Sequence, residues 1–258
     1  MKKIFIIVLL NICFIINASG KEVKLYFNTQ EFPPFNYSKN NKAAGPVVEI
    51  LNVICKKIEV KCITRVLPWR RAQKDVRIGL SDGLFVVGHN KSRESWLHFS
   101  LPIITTEYGF FALKSNKTVY KSLEDIEGYE IGVFGPSNTS NSLKKISKQL
   151  EMKNRDSIII RESYDDILVF KQLNTQRRGL QAVYSNKDVG NELIQKYKLD
   201  NLKYLGKQKE LNYFIAFSKY TVSEELVDKF NNVILNMYHN KELQNILGKY
   251  NLKSATIK

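Results

Sequence analysis

Two cysteines offer the first chemistry in this sequence. Cys55 closes a helical pattern and Cys62 opens a strand pattern, with six residues between them. A disulfide stapling that helix-to-strand turn is expected in an oxidising compartment. A metal site is not expected, because no His-x-x-His and no second cysteine pair accompanies the two thiols. Three histidines in the whole chain give no Ser-His-Asp set to nominate. Gly-x-Ser-x-Gly, His-Glu-x-x-His and a phosphate loop are all absent from the sequence. The residues therefore suggest no cofactor and no catalytic group. The excess of 40 Lys+Arg over 25 Asp+Glu, a net charge of +15, invites a polyanion as partner. Its densest stretch, Arg65 to Arg77, contains Asp75 and lacks interleaved aromatics beyond Trp69, and the remaining lysines scatter over helix faces. Such charges keep a surface solvated, so nucleic acid is not expected as a partner.

The N-terminus places the third cysteine and two of the charges. Lys2 and Lys3 precede an apolar run from Ile4 to Leu10 that continues through Ile12 to Ile16, with Ala18, Ser19 and Gly20 after it. A basic start, a short apolar stretch and small residues make residues 1–20 a secretory signal peptide, cleaved after Ala18 or Gly20. Cleavage removes Cys13, Lys2 and Lys3, which takes the charge from +15 to +13 and leaves an even cysteine count. The expected product is soluble and periplasmic.

The rest of the chain alternates strand and helix patterns. Val23, Leu25 and Phe27 alternate like a strand, and Pro46 opens a helix with Val47, Ile50, Leu51 and Ile54 on one face. Cys62–Leu67 reads as a strand, and Pro68-Trp69 starts a basic helix. Leu84–Val87 and Tyr108–Leu113 are further strands. A second series follows Asn116: strands over Tyr129–Phe134, Ile158–Ile160 and Leu180–Tyr184, with helices from Ser137 to about Leu150, after Ser163, and over Asp188–Tyr197. Ser163/Asp166 and Thr221/Glu224 have capping-box spacing. Leu202–Leu205 and Leu211–Phe217 read as two strands. Leu226, Phe230, Val233 and Met237 then mark the buried face of a C-terminal helix, with a shorter helix after it.

Such alternation implies α/β layers, and two successive series imply two lobes, each with its own mostly parallel sheet flanked by helices. Two crossover strands join them, near Leu113-Lys114 and Gly206–Leu211. This gives lobe 1 as residues 21–113 plus 212–258 and lobe 2 as residues 114–211. Ligands in such folds bind at strand carboxyl ends, which here face a cleft.

Within this frame, Glu31-Phe32-Pro33-Pro34-Phe35, then Leu67-Pro68-Trp69, then Arg93 with Phe99-Ser100-Leu101-Pro102 six residues on, resembles the bacterial extracellular solute-binding proteins of family 3, the polar amino-acid type. The resemblance spans the whole mature chain in order. It implies a two-lobe, type II periplasmic-binding-protein-like fold that closes on a small ligand and delivers it to an ABC permease, acting as a monomer. It also implies site residues. Phe32 would stack on the ligand, and Arg93 would grip a carboxylate with its two-pronged guanidinium. Trp69 would wall the pocket beside Glu31. Ser137, Asn138 and Thr139 would offer a helix N-terminus to an anion, although the same residue types serve as ordinary N-caps. Asn186 stands where amino-acid binders carry an aspartate for the ligand's ammonium, and Asn cannot neutralise a charge. Asp82 to Arg93 is one residue shorter than in the family. The resemblance thus implies an amino acid or a related organic acid as ligand. Two rival readings share the fold: a periplasmic enzyme of the cyclic-acid dehydratase type recruiting Glu31 or Glu107, and a ligand-sensing domain.

Overall fold

A computed structural model describes residues 22–176 and 179–257. The expected signal peptide, residues 1–20, lies outside the described residues. Among those described, no helix is long and apolar enough to cross a membrane.

The first lobe is built on β1 (Lys24–Thr29), a small hairpin of β2 (Tyr37–Lys39) and β3 (Lys42–Ala44), then α1 (Pro46–Lys57) and β4 (Lys61–Val66). It continues with α2 (Trp69–Arg77), β5 (Gly83–Gly88), the single turn α3 (Lys91–Glu94) and β6 (Leu97–Phe99). Strand β1 pairs in parallel with β4 and β5. β5 is buried along its whole length, as a strand covered on both faces must be. Pro46 takes the first position of α1, and Val47, Ile50, Leu51 and Ile54 are fully buried, as their spacing predicts.

Strand β7 (Ile104–Leu113) leads into the second lobe. There β8 (Glu130–Phe134), α4 (Asn138–Met152), β9 (Ile159–Ser163), α5 (Asp166–Asn174), β10 (Ala182–Asn186) and α6 (Lys187–Lys196) repeat the strand–helix pattern. β8 pairs in parallel with β9 and β10. The chain returns through β11 (Leu202–Ser218) and ends with α7 (Glu224–His239), α8 (Glu242–Gly248) and β12 (Lys253–Ser254). α1 packs against α7 and α8, so the C-terminal helices close on the first lobe.

The structure departs from the sequence reading in four places. The two parallel sets are not separate sheets: β7 and β11 run antiparallel beside each other and join all the main strands in the order β4-β1-β5-β11-β7-β10-β8-β9. β7 changes partners early, pairing with β12 at Ile104-Thr105 and with β10 from Tyr108 to Phe111. β11 is one strand of 17 residues, because its polar middle is held by β7 through two register shifts instead of by burial. Finally, Asp165 and Ser223 cap α5 and α7, not Ser163 and Thr221, and α7 buries Val227, Phe230, Ile234 and Met237. Ser163 turns its hydroxyl to the Asp165 backbone instead.

Cys55 and Cys62 are bonded, joining the last turn of α1 to β4 across a Cα separation of 6.0 Å. Closing a loop this short removes about 2–3 kcal/mol of unfolded-chain entropy. The Cys55→Ser/Cys62→Ser double variant is therefore expected to lose about that much stability in denaturant titration.

Candidate functional site

The carboxyl ends of β1, β4 and β5 supply one wall of the cleft. After β1, the turn Gln30–Phe35 contains a cis Pro33-Pro34 bond and turns Phe32 against Phe35 and Tyr213, with ring centroids 5.4 and 5.8 Å away. After β4, Pro68 leads directly into α2, so Trp69 sits at the mouth of the first turn. After β5, Asn90 caps α3 and brings Arg93 back over the strand end.

Arg93 is only 7% exposed. One terminal nitrogen donates to the Gly88 carbonyl at 2.6 Å and the other to Gln73 Oε1 at 3.3 Å, while the guanidinium lies 5.3 Å from the Trp69 ring centre. It forms no ion pair among the described residues. Burial pulls its pKa down, and the nearby Tyr108 and Tyr213 phenols act the other way. Their own burial pushes both phenols up, so they remain protonated near Arg93.

The second wall comes from the ends of β8, β9 and β10. Gly135-Pro136, a cis bond, turns β8 into α4. Ser137 caps that helix, accepting from the backbone N–H groups of Thr139 and Ser140. Asn138 crosses the cleft: its amide oxygen accepts from Asn90 at 2.8 Å and its nitrogen donates to the Gly88 carbonyl at 3.3 Å. Gly88 permits this approach, since a Cβ there would lie 2.8 Å from Asn138 Nδ2. Farther out, Arg70 of α2 stacks on Tyr164 of the opposite wall at 5.3 Å.

Two cavities lie along the seam. The larger, about 640 Å³, is bordered by Glu31, Phe32, Trp69 and Arg70 on one side and by Phe134, Tyr164 and Asp166 on the other. The smaller, about 450 Å³, is bordered by Arg93, Trp69 and Gln73 on one side and by Ser137 and Asn138 on the other. Trp69, Arg70 and Pro136 border both.

The expected residues thus divide by role. Arg93, Trp69, Phe32, Glu31, Ser137 and Asn138 all border the cavities. Ser137 is engaged as a helix cap, and Thr139 lies beside the Tyr108 hydroxyl. Asn186, 2% exposed, uses its whole amide inside the protein. Its oxygen accepts from the N–H groups of Asp188 and Val189, and its nitrogen donates to Thr106 Oγ1 at 2.9 Å and Tyr213 Oη at 3.3 Å. His89 pairs with Glu94 at 2.6 Å and borders neither cavity. Gln73 and Asp166 also border the cavities and Tyr108 and Tyr213 lie near the Arg93 guanidinium, and none of the four was legible from local spacing. Among the described residues, no three metal-ligating side chains cluster.

Asp166 stands out electrostatically. It is half-buried and borders the larger cavity. Burial, reinforced by the adjacent Asp165, pushes its pKa up to about 7. Arg70, Lys196 and Glu31 line the same cavity and the Tyr108 phenol of β7 feels the Asp166 charge, yet none of them pairs with Asp166. A carboxyl that titrates higher when folded takes up a proton on folding between pH about 4 and about 7. Its stability cost is therefore absent at pH 4 and complete above pH 7. The ligand-free protein should lose stability as pH rises through this window. The difference in Tm between wild type and Asp166→Asn should be small at pH 4 and favour the variant at pH 8.

Relatives bear on this arrangement. Over 153 residues, covering 58% of this chain and 55% of the relative, the sequence is 26% identical to the "Probable amino-acid-binding protein YxeM" of Bacillus subtilis (strain 168). The matched region thus spans about half the length of that relative. A histidine kinase sensor domain with similarity to periplasmic binding proteins superposes with a TM-score of 0.79 at 16% identity, covering 91% of this chain and 99% of that one. An ancestral arginine-binding protein bound to arginine superposes with a TM-score of 0.75 at 23% identity, covering 88% and 97%. At such identities the likeness is one of fold. Residues 26–253 match a family as a whole, and the chain belongs to the bacterial extracellular solute-binding proteins, family 3.

Proposed function

We propose that this protein captures a small polar ligand bearing a carboxylate, an amino acid or related organic acid, between its two lobes and presents it to an ABC permease in the periplasm. The observation that carries this reading is Arg93: a nearly buried guanidinium at the seam with no anionic partner among the described residues. A cation in that setting is costly unless a ligand supplies the counter-charge, and its planar fork fits a carboxylate. Each lobe contributes only part of the surround, so a ligand touching both favours the closed arrangement. The Asn90–Asn138 bond and the Arg70–Tyr164 stack are ready-made contacts for that state.

We read the protein as a binder and not an enzyme. Glu31 accepts from the Ser38 backbone N–H, and Glu107 is held by Lys187 at 3.0 Å and Tyr204 at 3.1 Å. Neither is set out as a free general acid or base. A thermal-shift screen of amino acids and organic acids tests the reading, because a ligand bound only by the folded state raises Tm by mass action. At least one carboxylate should raise Tm while its methyl ester does not. Equal shifts from acid and ester would contradict the role given to Arg93.

A further inference from the structure

The acids around the cleft differ in how they are used. Asp165 accepts from the N–H groups of Ile167 and Leu168, and Asp188 accepts from the Thr106 hydroxyl at 2.6 Å. Glu107 is held by Lys187 and Tyr204, and Glu31 is exposed and bonded to the Ser38 N–H. Asp166 alone, at the start of α5 on the wall of the larger cavity, has no hydrogen-bond or ion-pair partner among the described residues. A half-buried carboxylate left unpaired in the wall of such a cavity points to a partner that arrives with the ligand. The rings of Phe32, Trp69 and Phe134 border the same cavity, and aromatic faces attract a cation. The usual place for an ammonium partner, position 186, is closed by its own hydrogen bonds.

We propose that Asp166 holds a cationic nitrogen of the ligand. Resting on the reading that Arg93 takes the ligand's carboxylate, this assigns the two charges to the two cavities, which share Trp69, Arg70 and Pro136 as a border. The ligand is then an acid whose carboxylate and cationic nitrogen stand several bonds apart.

Two matched pairs of probes test this by calorimetry: L-lysine against L-norleucine, and 6-aminohexanoate against hexanoate, the second member of each lacking the terminal amine. The expected result is that the amine-bearing member binds wild type at least about tenfold more tightly. Asp166→Asn should erase that preference while leaving the amine-free member bound as before, with circular dichroism confirming the fold. Equal binding within both pairs, a preference that survives Asp166→Asn, or binding by none of the four would each overturn the inference. The reading of Arg93 fails separately: it stands if other carboxylates bind wild type and lose affinity in Arg93→Met, whatever happens at Asp166.

Discussion

Arg93→Met should abolish tight binding of the carboxylate ligand while leaving the ligand-free protein as stable as wild type or more so. The two effects have opposite signs because the group is a buried charge without a counter-ion among the described residues. In the complex, removing one partner of a desolvated charge pair costs about 2–5 kcal/mol, a loss of affinity of about 30-fold at the low end. In the free protein, the methionine keeps the apolar stem against Trp69 and removes a cation whose burial is unfavourable. The bonds to Gly88 and Gln73 are lost, but the Gly88 carbonyl keeps its bond from Asn138 and Gln73 borders the smaller cavity, where water can replace the other. Calorimetry and denaturant titration on the same preparation read both signs. Unchanged affinity with lowered stability would make Arg93 a structural residue.

Asn186→Ala should be among the most destabilising single substitutions in the second lobe, at about 2–4 kcal/mol. It removes the cap of α6 and leaves Thr106 and Tyr213 with unfilled bonds in a closed interior. Asn186→Asp is the more informative variant. Its carboxylate can still cap α6, but Thr106 already gives its proton to Asp188, so a second acceptor would face an oxygen lone pair with another carboxylate close by. The loss should be comparable at pH 7 and smaller at pH 4, where protonation restores a donor. Denaturant titrations at the two pH values check this. A variant as stable as wild type at pH 7 would contradict the network drawn around Asn186.

That network also explains why Asn186, a candidate ligand contact in the sequence, turns its amide inward. The residues of position 186 and of the Phe32, Trp69 and Arg93 segments are local signals: a turn, a helix start, a strand end. Their spacing carried over to the structure, as did the α1 face and the pairing of Cys55 with Cys62. What commits or frees these side chains is non-local. Asn186 is committed by Thr106 and Tyr213 from the two crossover strands, and Asp166 is exceptional only because every other acid nearby has found a donor. No periodicity marks either fact. The crossover strand β11 escaped for a related reason. Its middle is polar and held by backbone pairing with β7, so it lacks the alternation by which buried strands are recognised.

A structure of the protein with the best carboxylate from the thermal-shift screen tests the central claim most directly. The ligand is predicted to touch both lobes, with its carboxylate oxygens about 3 Å from the Arg93 guanidinium. A ligand bound to one lobe only, or one whose carboxylate lies away from Arg93, would contradict it.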